Sequence, residues 1–541
     1  MNPPTQLLMK RILERSPAFF PKRRIVTRAP WGIHRYTYKD MYERVCRLAN
    51  ALEELGVERG DVVGTLAWNH FQHGEIYFAI PCMGAVLHPL NLRLFKDQLV
   101  YQIEQAGDKI IFLDYTEIPI IEAIKDRIPS VKAFVIMMTE DKLPEVKSAP
   151  VYSYEDLISK ASPEYSWPDM DENTPAALIY TTATTGMPKG CLYSHRMLYL
   201  DYLSALAVDA GYHISEKDTI MCLTPMYHVL GWGLPYLCQF CGANQVYTGI
   251  RPTTHDFCNL VQSERVTWMA GVPTVLMDIL AAQEKGETDF SSLRLVMSSG
   301  SLATLPEVKG YAKLGIHVLQ PWGMTETGPL ACMNFVRSDE WETLTEEQKF
   351  EKMVRNGYMA PGVEWKVITP GGSDAKWDGE EAGELLVKGP WLVNEYFKDP
   401  ERSAETWEEG WMHTRDVVTV DETGCIKLVD RLGDMLKSGG EWISSIDIEN
   451  ALAQHPKVAE ACVVAVPHLR WEQRPYALVV LKNEFKGEIR EEDMRDFLKD
   501  KMAKIWIPDV IEFVEQIPKT AVGKFDKKLL RRRVAEKIVE E

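Results

Sequence analysis

The feature that most constrains the fold of this sequence is the alternation of helix-like and strand-like segments in its first half. Between residues 38 and 55, apolar side chains recur at spacings of three and four, as on one face of a helix. These positions are Met41, Val45, Leu48, Leu52 and Leu55. Thr37 suits the N-cap of this helix and Gly56 its C-terminal stop. Apolar runs at 62–68 and 85–87, with a further helix-like stretch between them, predict an α/β architecture with largely parallel sheets.

The later part of the chain has a different pattern. Residues 357–430 contain strand-like runs separated by turns rich in Gly and Asp, which predict a β-rich subdomain. After residue 431, a helix and several strands are predicted, at 445–453, 459–466, 476–481 and 510–514. We place the main boundary at Asp430–Gly433, which gives a large domain at 1–430 and a small α+β domain at 431–541.

Charge and cysteine content exclude some functions. Lys and Arg number 61 against 78 Asp and Glu, a formal net charge of −17, which argues against a duplex nucleic-acid partner. The ten cysteines lie mostly beside apolar residues, as buried thiols in a reducing compartment do. Cys238 and Cys241 form a CxxC with no second pair, so a zinc or redox site is not expected. The N-terminus lacks a signal-peptide core, and the longest apolar stretch, 229–241, is too short to span a membrane, so we expect a cytoplasmic protein.

A threonine-rich loop at 180–190, YTTATTGMPKG, is the strongest local signal of a binding site. It follows an apolar, strand-like run at 176–180 and combines hydroxyls, two glycines and Lys189. Such a loop turns backbone N–H groups, hydroxyls and a positive charge towards phosphate oxygens. The pattern differs from GxxxxGK[ST], which disfavours a P-loop hydrolase. Taken alone, the loop is also compatible with a polar surface turn.

Further motifs follow in the order WGMTETG (322–328), HTRD (413–416), DRLGDMLKSGG (430–440) and PKTAVGK (518–524). Together with the loop, their order and spacing resemble the adenylate-forming superfamily of acyl-CoA synthetases, luciferases and peptide-synthetase adenylation domains. The resemblance covers residues 38–530. It implies an AMP-forming acid–thiol ligase with layered α/β subdomains, a β-rich subdomain and a small mobile C-terminal domain.

The resemblance implies specific roles in binding ATP and Mg²⁺. Thr325 would contact the α-phosphate, and Glu326 would hold Mg²⁺ together with Thr185. Asp416 would bind the ribose hydroxyls beside Arg431, and Trp322 takes the place of a tyrosine that stacks on adenine. The remaining residues assigned to the nucleotide are Thr181, Thr182, Thr184, Gly186, Lys189, Ser299, Gly300, Ser301, Gly323 and Met324.

The resemblance also assigns a catalytic cation and a path for coenzyme A. Lys524 would arrive over the α-phosphate on the mobile C-terminal domain and stabilise the adenylation step. Rotation of that domain would then admit the pantetheine arm of CoA, whose thiol attacks the acyl-adenylate and releases AMP. The segment that matches the lining of this path contains Ser438, Gly439, Gly440, Glu441 and Trp442.

Three positions depart from the usual pattern of the superfamily. Ala183 replaces a glycine in the phosphate loop, and Arg415 replaces the glycine before the ribose-binding aspartate. Gly433 stands at the hinge, where Asp or Lys is common, and still permits a large dihedral change. None of these replacements removes a charged catalytic group.

Residues 225–232, PMYHVLGW, match the segment that lines the acyl pocket. This places Tyr227, His228 and Trp232 in the pocket, with His228 as a catalytic candidate near the carboxylate and Gly300 leaving room for the chain. Amino-acid-activating relatives carry an aspartate in this segment, whereas this chain has none between 225 and 233. The neighbourhood is apolar and aromatic.

The phrases SGGEWISS at 438–445 and WNH at 68–70 are closest to prokaryotic medium- and long-chain fatty acyl-CoA synthetases. We therefore expect the partners to be a fatty acid, ATP and CoA, and no nucleic acid. An aryl, short or branched acid stays open as the substrate, as does a non-catalytic sensor of acyl groups or nucleotides. Peripheral membrane contact and a homodimer also stay open.

Overall fold

Two seven-stranded sheets, largely parallel, form the framework of the computed structural model. The structure describes residues 5–138, 149–181, 187–207, 212–438, 441–468, 470–519 and 524–540, without the side chains of 441, 442 and 538–540.

The first of these sheets, here called the N-terminal sheet, is parallel except at one edge, where the last two strands pair antiparallel. Its strands, in spatial order, are Val151–Ser153, Ala133–Met137, Asp108–Asp114, Val62–Leu66, Val86–Pro89, Pro175–Tyr180 and Gly190–Ser194. Because parallel strands need crossover connections, helices connect most of them. The alternation in the sequence therefore predicted this sheet correctly.

The second sheet is also parallel apart from an edge hairpin. Its strands, in spatial order, are His317–Leu319, Leu295–Ser298, Trp268–Gly271, Thr219–Cys222, Asn244–Tyr247, Arg24–Ala29 and Gly32–Thr37. The hairpin comes from the start of the chain, so the second sheet draws its strands from two regions separated by the whole N-terminal sheet.

Helices cover these two sheets. They are Lys10–Phe19, Tyr38–Glu54, Phe71–Met83, Lys96–Ala106, Ile118–Ile124, Tyr154–Ser159, His195–Ala207, Val229–Trp232, Leu234–Cys241, Thr254–Ser263, Pro273–Glu284, Leu305–Lys313, Ser338–Trp341 and Glu346–Met353, with short 3₁₀ turns at Tyr115–Glu117 and Lys125–Arg127. In the predicted helix, Thr37 accepts a hydrogen bond from the Asp40 N–H, and Asp40 caps Thr37 in return. The helix ends before Gly56, whose φ of 78° is left-handed, as expected for a terminating glycine.

Two antiparallel sheets follow. The smaller has three strands, Pro321–Met324, Gly328–Met333 and Tyr358–Met359. The larger, here called the β-rich sheet, contains Glu364–Ile368, Gly383–Lys388, Trp407–Glu408, Trp411–Val420 and Ile426–Arg431, and the helix Pro400–Thr406 lies between two of these strands. The β-rich character expected for this region is therefore present.

The last sheet, here called the C-terminal sheet, has its own hydrophobic core. Its strands are Leu436–Ser438, Glu441–Ile443, Val458–His468, Glu472–Leu481 and Val510–Phe513. Its helices are Ser445–Ala453, Glu491–Lys499 and Lys527–Glu540, with 3₁₀ turns at Asn483–Phe485 and Lys504–Trp506. The chain passes from the β-rich sheet to the C-terminal sheet between Arg431 and Leu436, around Gly433, where a Cβ would meet no atom within 4 Å. Among the described residues, no helix combines the length and the apolar character needed to cross a bilayer.

Candidate active site

The phosphate-loop candidate connects the two antiparallel edge strands of the N-terminal sheet, Pro175–Tyr180 and Gly190–Ser194. Its ends are tied together: the Thr181 N–H donates to the Lys189 carbonyl at 2.9 Å, and the Lys189 N–H donates to Thr181 Oγ1 at 3.2 Å. This closure returns the chain to Lys189 at the start of the second strand. Thr182, Thr184, Thr185 and Gly186, which were assigned to the phosphates and the metal, lie outside the described residues, as does Ala183.

Lys189 and Glu326 are joined through a tyrosine that the motifs did not indicate. The Lys189 ammonium donates to the Tyr396 hydroxyl at 2.8 Å, and that hydroxyl donates to Glu326 Oε1 at 2.7 Å. The ammonium also lies 4.2 Å from the centre of the Tyr396 ring. Burial lowers the pKa of Lys189, and the nearby Glu326 opposes this. A cation and a carboxylate are therefore held together in a partly desolvated site.

Trp322, Asp416 and Arg431 form a second group. The Trp322 indole N–H donates to Asp416 Oδ2 at 2.9 Å, and Arg431 Nε lies 3.0 Å from Asp416 Oδ1, as an ion pair rather than an aligned hydrogen bond. Asp416 and Arg431 are also cross-strand partners in the β-rich sheet. Asp416 is buried, and its charge is the main cause that raises the pKa of Arg431.

Two glycines shape the motif between these groups. A Cβ on Gly323 would lie 2.8 Å from the Pro329 carbonyl oxygen, so only glycine lets the two strands of this hairpin approach. Gly328 has a φ of 79°, a left-handed conformation that side chains disfavour. Within the turn, the Met324 N–H donates to Thr327 Oγ1 at 2.9 Å, and the Thr325 carbonyl accepts from the Tyr193 hydroxyl.

Lys524 reaches this site from the C-terminal part of the chain. Burial of its ammonium group lowers the pKa of Lys524 to about 8, although the residue as a whole is exposed. Arg431 lowers this pKa further and Asp416 opposes the shift. The Lys524 charge also acts on His228, whose pKa is lowered to about 3, chiefly by burial. His228 is therefore neutral at physiological pH, whereas Lys524 is a cation at neutral pH and loses its proton as the pH rises through about 8.

The predicted acyl segment has an unusual backbone. Positive φ values run from Val229 through Gly233, with 45° at Leu230 and 54° at Trp232. This left-handed run strains the side-chain-bearing residues and brings the Trp232 indole to within 3.9 Å of where a Cβ on Gly300 would lie. Burial raises the pKa of Tyr227 to about 12, and its ring lies 4.7 Å from that of His228.

Residues 299–301 follow the strand Leu295–Ser298 of the second sheet, and Gly300 lies beside Trp232 of the predicted acyl segment. The Ser299 hydroxyl donates to the Pro321 carbonyl at 3.0 Å, which fixes the start of the turn against the strand that carries Trp322. Ser301 is exposed. The structure thus brings together candidates from five separate segments, those of Lys189, Glu326, Asp416, His228 and Lys524.

Two family profiles together match most of this chain. The profile of the family described as AMP-binding enzyme matches residues 13–397, and that of the AMP-binding enzyme C-terminal domain matches residues 447–524. The chain belongs to the AMP-binding enzyme family. This confirms the predicted superfamily and the prediction that the chain is an enzyme of the AMP-forming ligase class.

Individual relatives of this AMP-binding enzyme match over nearly their whole length. The long-chain-fatty-acid–CoA ligase of Thermus thermophilus is 41% identical over 522 residues, covering 96% of this chain and 94% of the relative. The medium-chain-fatty-acid–CoA ligase of Ectopseudomonas oleovorans is 35% identical, with 97% and 96% covered. Among solved structures, an anthranilate CoA ligase in complex with anthranoyl-AMP aligns with a TM-score of 0.88 at 25% identity, covering 100% of this chain and 99% of that one. The predicted fold class is thereby confirmed.

In the segment assigned to CoA, Ser438 is the residue whose side-chain contacts are described. Ser438 is buried in the C-terminal sheet, where its hydroxyl accepts a hydrogen bond from Arg474 at 3.2 Å. Gly439 and Gly440 lie outside the described residues, and Glu441 and Trp442 are described only as part of a strand. The described contacts of Ser438 therefore do not include the residues around Lys524.

The sequence motifs did not indicate two tyrosines, and the structure adds detail on one arginine. Tyr193 and Tyr396 have no motif of their own, and only their positions in space reveal them. Arg415 was noted as a departure from glycine, and its φ of 59° explains why glycine suits that position. Its charge also acts on Lys189 and helps to lower the pKa of that residue.

Proposed function

We propose that this AMP-binding enzyme is an ATP-dependent acid:CoA ligase acting on a medium- or long-chain fatty acid. In the first half-reaction, an oxygen of the substrate carboxylate attacks the α-phosphorus of ATP, and pyrophosphate leaves. In the second, the thiol of CoA attacks the acyl-adenylate, and AMP leaves. The observation that carries the proposal is the convergence of Lys189, Glu326, Asp416, Arg431 and Lys524 on one site.

The charges in this site suit the adenylation step. Two anions must meet, so positive charge near the reacting phosphate lowers the barrier. In this proposal Lys189, which donates to Tyr396, binds the outer phosphates, and Lys524 supplies a second cation near Arg431 and Asp416. His228 is neutral, so its ring N–H can donate a hydrogen bond to the substrate carboxylate without forming an ion pair with it.

The residues fit Mg²⁺ in the manner typical of nucleotide enzymes. Magnesium is usually bound by one or two carboxylates together with substrate phosphates, rather than by a dedicated protein cage. Glu326 supplies a buried carboxylate, and the described residues contain no cluster of three or more ligating side chains. We propose that Glu326 holds the ion, with Thr185 as a second ligand. Bound there, Mg²⁺ would neutralise phosphate charge.

The adenosine would lie against Trp322, with its ribose hydroxyls on Asp416. The Trp322 indole already donates to Asp416, so the ring and the carboxylate are fixed relative to each other. The second half-reaction requires Lys524 to leave. We propose that rotation about the segment 430–433, the boundary between the large and the small domain, exchanges Lys524 for the segment 438–442 and admits CoA.

The substrate class rests on the relatives and on the pocket. The long- and medium-chain-fatty-acid–CoA ligases match over nearly the full chain. The surroundings of Trp232 and Gly300 are apolar and aromatic. An aryl acid is the second candidate, because an anthranilate CoA ligase has a similar structure. A cytoplasmic location, peripheral membrane contact and a homodimer stay predictions.

The test measures AMP release with ATP, Mg²⁺ and CoA across acids from acetate to palmitate, with benzoate as the aromatic representative. A maximum among the medium or long aliphatic acids is expected. AMP formed only with benzoate or short acids would retain the reaction and overturn the proposed substrate. Binding of ATP without AMP release for any acid would instead favour a non-catalytic sensor.

A further inference from the structure

The motif WNH at 68–70 has no role in the reaction scheme above. Its central residue, Asn69, lies between the strand Val62–Leu66 of the N-terminal sheet and the helix Phe71–Met83. The Asn69 side chain is buried, and its described hydrogen bonds all reach residues 222–226. Those residues lead from the second sheet into the predicted acyl segment. Asn69 therefore connects the N-terminal sheet to the start of the acyl segment.

The Asn69 amide matches the backbone of residues 222–226. Its Nδ2 group donates to the Thr224 carbonyl at 2.8 Å and to the Cys222 carbonyl at 3.2 Å. Its Oδ1 atom accepts from the Met226 N–H at 2.9 Å. A side-chain amide has two N–H donors and one acceptor oxygen, and this backbone uses all three. A carboxylate at position 69 could accept from Met226 but could not donate to the two carbonyls.

The loop that carries Asn69 is itself held on both sides. The Trp68 N–H donates to Asp114 Oδ2 at 2.8 Å, and His70 Nε2 lies 2.7 Å from Asp114 Oδ1. His70 and Asp114 are fully buried. The Asn69 carbonyl accepts from the Gly249 N–H at 2.9 Å. Buried and satisfied polar networks of this kind are rigid, so Asn69 is a fixed point for the residues that it binds.

The acyl segment needs such a fixed point because its backbone is strained. Leu230 and Trp232 have φ values of 45° and 54°, which cost free energy and persist only where surrounding contacts hold the chain. Met226 precedes this run and is held at both of its backbone groups. Asn69 accepts from its N–H, and the Tyr77 hydroxyl donates to its carbonyl. The strained run therefore starts from an anchored residue.

His228 lies between the anchored residue and the strained run. Its N–H donates to the Pro225 carbonyl at 3.0 Å, and its carbonyl accepts from the Gly231 N–H at 2.7 Å. The charge of Lys524 acts on the His228 imidazole, which indicates that the ring faces the candidate active site. The position of the ring therefore depends on a turn whose first residues are bound by Asn69.

We propose that Asn69 is a positioning residue for adenylation, which fixes the acyl segment and thereby the ring of His228. The inference rests on the proposed function, in which His228 donates a hydrogen bond to the substrate carboxylate. A small displacement of such a group lowers the rate strongly, because the reacting atoms must be aligned. Asn69 thus contributes to the reaction from the N-terminal sheet, through the backbone of a segment that follows the second sheet.

The test is a double-mutant cycle in the full-length enzyme. It follows pyrophosphate release from MgATP without CoA, with the acid preferred in the chain-length series above. Asn69→Ala and His228→Ala should each lower kcat/KM for the acid by at least about tenfold. In the His228→Ala background, Asn69→Ala should have almost no further effect, because the ring that it positions is gone. The Kd for MgATP, measured without acid, should be unchanged in Asn69→Ala.

A second variant and a matched control accompany the cycle. Tyr77→Phe removes only the hydroxyl that binds the Met226 carbonyl, so it should show the same dependence on His228 if Asn69→Ala fails to fold. Asn50→Ala is the control, because the Asn50 amide also donates to backbone carbonyls of a distant segment, at 162 and 164. It should leave kcat/KM unchanged even where it lowers the melting temperature.

The possible outcomes separate the inference from the ligase function. Losses that multiply in the double variant would show that Asn69 acts independently of His228 and would overturn the inference. Equal weakening of acid and MgATP binding in Asn69→Ala would make Asn69 a structural residue and overturn it too, as would an unchanged kcat/KM. Each of these results would leave the ligase function standing. If the wild type released no pyrophosphate with any acid, the ligase proposal itself would be refuted.

Discussion

At the scale of single residues, the site is defined by which groups are charged. Lys189, Arg431 and Lys524 are cations, whereas burial keeps His228 neutral by lowering its pKa to about 3. The charge of Lys524 depends on pH close to the physiological range, because the pKa of Lys524 is lowered from the usual lysine range to about 8. The direction follows from desolvation, which disfavours the charged form of an amine.

We therefore expect kcat/KM for ATP in the adenylation half-reaction to fall as the pH rises through about 8. Below this pH Lys524 carries its charge, and above it the charge is lost, so the sign of the effect is fixed by the lowered pKa. In Lys524→Arg the fall should move to higher pH, because a guanidinium stays protonated. The measurement is pyrophosphate release over a pH series.

Lys524→Ala should abolish adenylation and leave thioester formation from supplied acyl-adenylate largely intact. The exposed Lys528→Ala, on the adjoining helix, is the control and should retain both half-reactions. If both half-reactions fell equally in Lys524→Ala, the exchange of Lys524 for the CoA segment would be refuted for this protein.

Tyr396→Phe should raise the KM for MgATP about tenfold. It removes the hydroxyl that joins Lys189 to Glu326, and hydrogen bonds to charged groups contribute about 1.5 kcal/mol or more. Tyr165→Phe is a matched control, since it deletes a tyrosine–carboxylate hydrogen bond to Glu53 at the surface. Steady-state kinetics decide: an unchanged KM in Tyr396→Phe would mean that Lys189 is placed without the tyrosine.

At the scale of elements, one buried network ties the β-rich sheet to the small C-terminal part. The Ser445 N–H and hydroxyl donate to Asp430 Oδ2, and Lys527 bonds to the Ser445 hydroxyl and to Glu449 at 2.9 Å. Burial alone would lower the pKa of Lys527, but Glu449 and Asp430 together raise it. The single positive charge of Lys527 therefore compensates the buried carboxyl group of Asp430 and the half-buried one of Glu449.

Lys527→Met should lower the free energy of unfolding by ~3 kcal/mol, because removing one member of a buried ion pair leaves the other charge uncompensated. Lys528→Met, one residue away and exposed, should change it little. Denaturant unfolding followed by the fluorescence of the native tryptophans provides the measurement. Similar losses in both variants would show that the network does not stabilise the fold.

At the scale of the whole molecule, the cysteines report on the packing of the core. All ten are free thiols; nine are buried, and only Cys241 is half-buried. Burial raises the pKa of Cys241 to about 11 and that of Cys222 further, so the reactive thiolate is scarce at neutral pH.

In the native protein at neutral pH we expect at most slow reaction of Cys241 with a thiol-specific reagent, and reaction of all ten cysteines after unfolding. Added reductant should leave the melting temperature unchanged. Cys241→Ser should remove the slow native phase. Fast native labelling of several thiols would show that the packing around them opens readily.

Much of the fold and of the site could be predicted from the sequence because the signals are local. The helix Tyr38–Glu54 is set by its apolar spacing and by the cap at Thr37, and the helix Ser445–Ala453 has the predicted bounds. The motifs around Glu326 and Asp416 are likewise short stretches of sequence, WGMTETG and HTRD, that can be recognised without knowing the fold. Such features depend on contacts within a few residues, which a sequence displays directly.

Only the tertiary structure decided which distant groups meet. Tyr396 lies 207 residues from Lys189 and 70 from Glu326, yet it bonds to both. Tyr193 has no motif either, and its hydroxyl donates to the carbonyl of Thr325, 132 residues further along the chain. The sequence by itself determined many of the helices and strands and indicated the candidate residues of the site, because caps, periodicity and motifs are local. The partnerships across that site were decided by packing, because contacts between distant segments depend on the path of the whole chain.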